Sequence, residues 1–154
     1  LFFVVLALPI SLPFFSDITF FMQLQSIVYA FYFIFIFRTI ILFLIKPSYI
    51  NIDIISASGC GFFLLIEIMV FVLQIMYYTN PESISGIDNS SPATIFIDLV
   101  FFSSITQITI GFGDITPSAS NTKLVAALFG IVGHFYTVVL LGILLSKFTS
   151  KDQS

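Results

Sequence analysis

Three long apolar runs dominate this chain and leave few folds open to it. Residues 18–45, 54–79 and 124–146 are each long enough to cross a hydrocarbon layer ~30 Å thick, which takes about 20 helical residues. Backbone polar groups in lipid must bond to one another, so a spanning segment is a helix or part of a closed barrel, and runs of this length are helices. The charge count agrees. Only 8% of the 154 residues are charged and 58% are apolar, whereas a soluble domain carries about 25% charged residues to keep its surface solvated. The chain reads as a polytopic, all-α membrane protein. A shorter run at 1–15 contains Pro9 and Pro13 and is closed by Asp17, so it is a broken helix or the end of a span. It lacks the basic stretch of a secretory signal. A start on Leu1 rather than Met is expected of a segment of a longer protein.

Charge and rare residues exclude several functions. Five Lys+Arg against eight Asp+Glu give a net charge of −3 with no basic run, so nucleic acid is not an expected partner. Arg38 and Lys46 are the only basic residues among the first hundred, far short of the arginine series of a voltage sensor. The single Cys60 supports no disulfide and no thiolate cluster, and it reads as packing. With one His and no paired carboxylates there is no catalytic constellation. The chain is not expected to be an enzyme or to need a cofactor.

Residues 80–122 differ in kind, being too polar and too rich in Gly and Pro to cross. Ser91 before Pro92 is a good N-cap and first-turn pair, and the apolar residues after it predict a helix over 92–107. Sixteen residues at 1.5 Å each make about 24 Å, too short to span, so this helix stops at mid-depth. Thr109-Ile110-Gly111-Phe112-Gly113-Asp114 follows, then Thr116-Pro117 and a polar return to the surface. Non-helical backbone at that depth is tolerated only where protein buries it or where it lines a watery path. The segment predicts a pore. A phosphate loop is the other reading of Gly111-x-Gly113, but neither the required Lys nor a preceding strand is there.

The run from Thr106 through Asp114, preceded by Phe101-Phe102, resembles the potassium-channel signature, and its T-I-G-F-G-D wording is similar to that of two-pore-domain potassium channels and many prokaryotic ones. The resemblance covers residues 54–151. It implies a pore domain over 51–154, with outer helix 54–79, pore helix 92–107, filter 109–113 and inner helix 123–149, behind peripheral membrane helices in 1–50. The carbonyls of Thr109, Ile110, Gly111 and Phe112 would replace the hydration shell of K+, the permeant ion, as they do in potassium-channel filters. The Thr109 hydroxyl would complete the innermost site. Gly111 and Gly113 would reach backbone angles closed to other residues. Asp114, Thr106, Phe101, Phe102 and Asp98 would support the filter. Many members carry Trp-Trp where this chain has Phe101-Phe102, Tyr where it has Phe112, and some a Glu where it has Ile105. Asp114 thereby loses its usual partners, and a filter held mainly by packing is expected. One chain supplies one strand of a ring of four, so the partners are three identical subunits and the lipid bilayer. A less selective cation channel on the same scaffold, or a non-conducting membrane subunit, remains open at this point.

In the inner helix, Gly133 stands nineteen positions after Asp114, where the family has its hinge glycine; close helix contact is the other use of such small residues. For Gly130 and Gly142 the two readings stay open. Helical spacing sets Gly130, His134, Thr137 and Leu141 on one face, with Leu145 beside it. That face is expected to line the cavity, Leu141 and Leu145 forming an apolar gate. Glu67 and His134 fall near mid-span and are functional candidates by position, either as a proton-sensitive pair or as neutral groups holding helices together. With the filter facing outward, Lys46, Lys147 and Lys151 fall on the cytoplasmic side, as the positive-inside tendency requires. Glu82, Asp88 and Asp114 make an acidic outer mouth. The C-terminus is then cytoplasmic and the expected location is the plasma membrane.

Overall fold

The computed structural model describes the backbone of residues 18–45 and 52–151, with side chains over the same stretches except at 52, 141 and 143–151. The expected helix at 1–15, Lys46, and the side chains of Leu141, Leu145, Lys147 and Lys151 lie outside the described residues.

Helix α1 (Ile18–Ile45) and helix α2 (Ile52–Thr79) have 28 residues each, about 42 Å at 1.5 Å per residue. Helix α3 (Pro92–Gln107) has 16 residues and helix α4 (Ser120–Lys151) has 32. Among the described residues α1, α2 and α4 are long and apolar enough to cross a membrane, and α3 is not. Helix α3 starts at Pro92, directly after its Ser91 cap, and ends at Gln107. The outer and inner helices start earlier than the apolar runs suggest. Asp53 sits in the first turn of α2, where a carboxylate favours the helix dipole. Apolarity therefore marks the stretch in lipid, not the whole helix.

Helix α1 runs antiparallel to α2, since Gln23 near its start donates to the Thr79 hydroxyl at the far end of α2, 3.2 Å away. Phe71 joins three helices: its ring meets Tyr29 edge-on at 5.1 Å, Phe33 in a stack at 5.6 Å, and Phe96 of α3 at 6.1 Å. The main core forms where α2 presents Ile66, Met69, Val70 and Leu73 to Leu99 and Phe102 of α3. Their spacing of three and four residues makes one helical stripe. Helix α4 crosses α2 where Tyr136 donates to the Ser58 carbonyl at 2.8 Å. A Cβ on Gly61 would run into that hydroxyl, so glycine permits the approach. Cys60, expected to pack, is exposed on the described chain.

Two short strands join the segments on either side of α3. Strand β1 (Ile84–Ser85) follows a 3₁₀ turn at Pro81–Ser83 and pairs antiparallel with strand β2 (Thr116–Pro117), Ile84 opposite Pro117 and Ser85 opposite Thr116. No periodicity could announce strands of two residues. They tie the loop after α2 to the backbone that leaves the Gly-x-Gly segment.

Candidate functional site

The site begins with the way α3 is started and stopped. Ser91 caps it: the Ser91 hydroxyl accepts from the Thr94 amide at 3.1 Å, and the Thr94 hydroxyl accepts from the Ser91 amide at 3.0 Å. This reciprocal capping satisfies two amides that the first turn leaves open. At the other end the chain leaves the helix through a Schellman motif. The Thr109 amide donates to the Thr106 carbonyl at 3.1 Å and the Ile110 amide to the Ile105 carbonyl at 2.9 Å, with the Gly111 amide on the same Ile105 oxygen at 3.2 Å.

Two consequences follow for residues 109–113. The residue just past such a helix end adopts left-handed backbone and is usually glycine; here it is Thr109, with φ 61°. A β-branched residue in that region costs roughly 1–2 kcal/mol. Gly111 and Gly113 share the positive sign, at φ 57° and 83°, so left-handed residues alternate with ordinary ones along the segment. The second consequence concerns the carbonyls. In a planar trans peptide the C=O points opposite to the N–H of the next residue, and no peptide here is cis. Because the amides of Thr109, Ile110 and Gly111 all face the end of α3, the carbonyls of Ile108, Thr109 and Ile110 face away from it.

The strand from Ile108 to Asp114 is exposed, with Ile110 at 52% and Phe112 at 70%. Phe112 stacks flat on Phe101, ring centres 6.2 Å apart and planes within 2°. Phe102 lies in the core, and Thr106 holds Thr109 through its carbonyl. The Asp98 carboxylate accepts the Asp88 amide at 2.8 Å and so ties the loop before α3 to that helix. Asp88 in turn accepts the Ser90 amide at 2.9 Å. Among the described hydrogen bonds none involves the Asp114 carboxylate. Glu82, Asp88 and Asp114 are all exposed.

Below the segment lies a cavity of about 610 Å³ that His134 and Thr137 line together with Gln107, Ile108 and Thr109. Ser58, Phe62 and Tyr136 complete it from sides that the inner-helix face did not suggest. Gly130 lines a separate hollow with Phe102 and Thr106. Gly133 is buried against Gln107: an added Cβ would stand 3.1 Å from Gln107 Oε1 and 3.2 Å from its Cβ. Close contact is thus one use of this glycine. The Thr137 hydroxyl donates back to the Gly133 carbonyl at 3.0 Å, a bond that tends to bend helices. Among the described residues no hydrogen bond or ion pair joins His134 to Glu67. Glu67 is two residues from both Leu65 and Met69, which contact Gln107, so it faces the other side of α2.

Sequence reasoning missed Gln107 and Gly86. Gln107, 2% exposed, donates to the Leu65 carbonyl at 2.9 Å and bridges α3 to α2, while its Oε1 finds no partner. A Gln at the end of an apolar helix was the available signal. Gly86 has φ 91° and its backbone lies against the Asp114 carbonyl; a glycine amid the polar outer loop hinted at it.

A short helix that packs beside membrane spans, stops, and returns as irregular non-helical backbone defines a pore-loop membrane protein. A profile of the family described as "Ion channel" matches residues 61–150, more than half of the chain, and the chain belongs to that family. It is an integral membrane channel protein and not an enzyme. Among curated proteins it is 33% identical over 96 residues to Two-pore potassium channel 5 of Arabidopsis thaliana, covering 62% of this chain and 22% of that protein. To Two-pore potassium channel 2 of the same organism it is 34% identical over 67 residues, 44% of this chain and 14% of that one. The chain therefore spans less than a quarter of the relatives' length. No solved structure matches it.

Proposed function

We propose that this chain forms the potassium-selective pore of a channel, with residues 109–113 as the filter. The observation that carries the reading is Thr109 in left-handed backbone at a helix stop where glycine would be less strained. A side chain kept there at a cost has a use, and a hydroxyl beside outward-turned carbonyls offers one more oxygen to a bare cation. Carbonyl oxygens of Thr109, Ile110, Gly111 and Phe112 then take the place of water around K+, as in known potassium filters. The relatives' own description as potassium channels supports the choice of ion. No resident cofactor is required.

Four such strands close a ring, and the exposed Ile110 and Phe112 side chains are what further copies would cover. Helix α4 likewise leaves Leu124, Leu128, Ile131 and Phe135 exposed along one stripe for neighbours or lipid. Four identical chains make the simplest ring. The relatives' name favours a second arrangement, in which a longer chain carries two pore modules and two chains suffice. In either, the filter faces outward across the plasma membrane and the C-terminus is cytoplasmic. His134 and Thr137 line the inner cavity, and Gly133 is the point at which α4 bends to open it.

Reconstitution into liposomes tests this. Purified protein is expected to carry potassium and to reverse near the potassium equilibrium potential in mixed sodium and potassium. Reversal near zero would indicate a less selective cation channel. No potassium flux would leave a non-conducting membrane subunit.

A further inference from the structure

The geometry points to the outer loop Ser83–Gly86 as a clamp that sets the outer end of the 109–113 segment, with Gly86 as its positioning residue; this rests on reading that segment as a potassium filter. The helix α3 end anchors only the inner half of the segment, through the amides of Thr109, Ile110 and Gly111. Phe112 adds its ring on Phe101, but the backbone at Gly113 and Asp114 needs its own support.

That support comes from the loop after α2. Gly86 adopts φ 91°, a left-handed angle, directly against the chain leaving the filter. A Cβ at this position would collide with the Asp114 carbonyl oxygen and would stand 3.1 Å from both the Asp114 carbonyl carbon and Ile115 Cα. Backbone cannot swing aside as the tip of a flexible side chain can, so both the angle and the contact require glycine. The loop itself is fastened by the Ser83 carbonyl, by the β1–β2 pairing and by the Ser85 and Ser118 hydroxyls, 2.6 Å apart. The Ser83 carbonyl accepts from the Ser118 amide at 2.8 Å and the Ala119 amide at 3.2 Å, and the Thr122 hydroxyl, whose one proton is shared between the Ser83 carbonyl at 2.7 Å and the Ala119 carbonyl at 2.8 Å, ties the loop to the first turn of α4. Thr122 is fully buried, so water cannot replace that bond. The β1–β2 pairing lies between these two points. Ser83, Gly86 and Asp114 thus form one backbone assembly, joined through Thr122 to the start of α4. Displacing Gly86 displaces the carbonyls beyond Gly111, where spacing decides which ion fits.

The full chain, wild type and carrying Gly86→Ala, Thr122→Val or Thr122→Ser, is reconstituted in liposomes with potassium inside and sodium outside. Assembly is checked by size exclusion in detergent. Gly86→Ala and Thr122→Val are expected to assemble as the wild type does and to shift the reversal potential toward that of sodium, while Thr122→Ser, which keeps the hydroxyl, does not shift it. A selective wild type whose assembled variants all reverse at the same potential overturns the clamp alone. A wild type that passes no potassium overturns the filter reading instead. Where Gly86→Ala does not assemble, the Thr122 pair decides: a shift with Val and none with Ser supports the clamp, and no shift with either overturns it.

Discussion

Thr109 sets stability against function at a single position. Its left-handed φ of 61° costs roughly 1–2 kcal/mol for a β-branched residue, and glycine at the same helix stop would avoid most of it. Thr109→Gly is expected to raise the unfolding midpoint in detergent, by about 1 kcal/mol in free energy, while lowering potassium flux because the hydroxyl is lost. A variant that is more stable and conducts normally would remove the hydroxyl from the innermost site. The ligand role proposed for Thr109 comes only from the motif; nothing in local sequence announces a threonine in a glycine's conformation. Gly133 had two expected uses, hinge and close contact, and the fold shows the contact, with Gln107.

Helix α3 owes its position to its two ends. Its apolar residues do not specify a start, but Ser91 and Thr94 cap each other, and losing such a cap costs about 1 kcal/mol. Ser91→Ala is expected to lower stability by that amount, read as a lower midpoint in thermal unfolding, and to fray the first turn. The loss should be smaller for Ser91→Asp, whose carboxylate also caps and suits the positive end of the helix. The start was readable because a cap is a local signal, carried by residues three apart. The stop was readable only in part: Gly111 and Gly113 mark where a helix fails, but the shared use of the Ile105 carbonyl by Ile110 and Gly111 depends on how the chain folds back.

Subunit number belongs to the assembled channel. The exposed α4 stripe and the bare 108–114 strand have more apolar surface than one copy covers. Native mass measurement in detergent on the full-length protein is expected to give four copies of a single-module chain or two of a chain with two modules. A monomer that conducts would overturn the ring. What could be known without coordinates was set by the solvent: lipid admits no unpaired backbone, so run length and charge scarcity prescribed three spans and a short helix that cannot cross. The Thr-Ile-Gly-Phe-Gly-Asp motif added the expected site. The rest needed the fold, because it joins residues far apart in the chain. Gly86 against Asp114, Ser83 under Thr122, Tyr136 on Ser58 and the separation of Glu67 from His134 are questions of which faces meet. Apolar patterning in a membrane cannot answer them, since lipid-facing and protein-facing sides of a helix are both apolar.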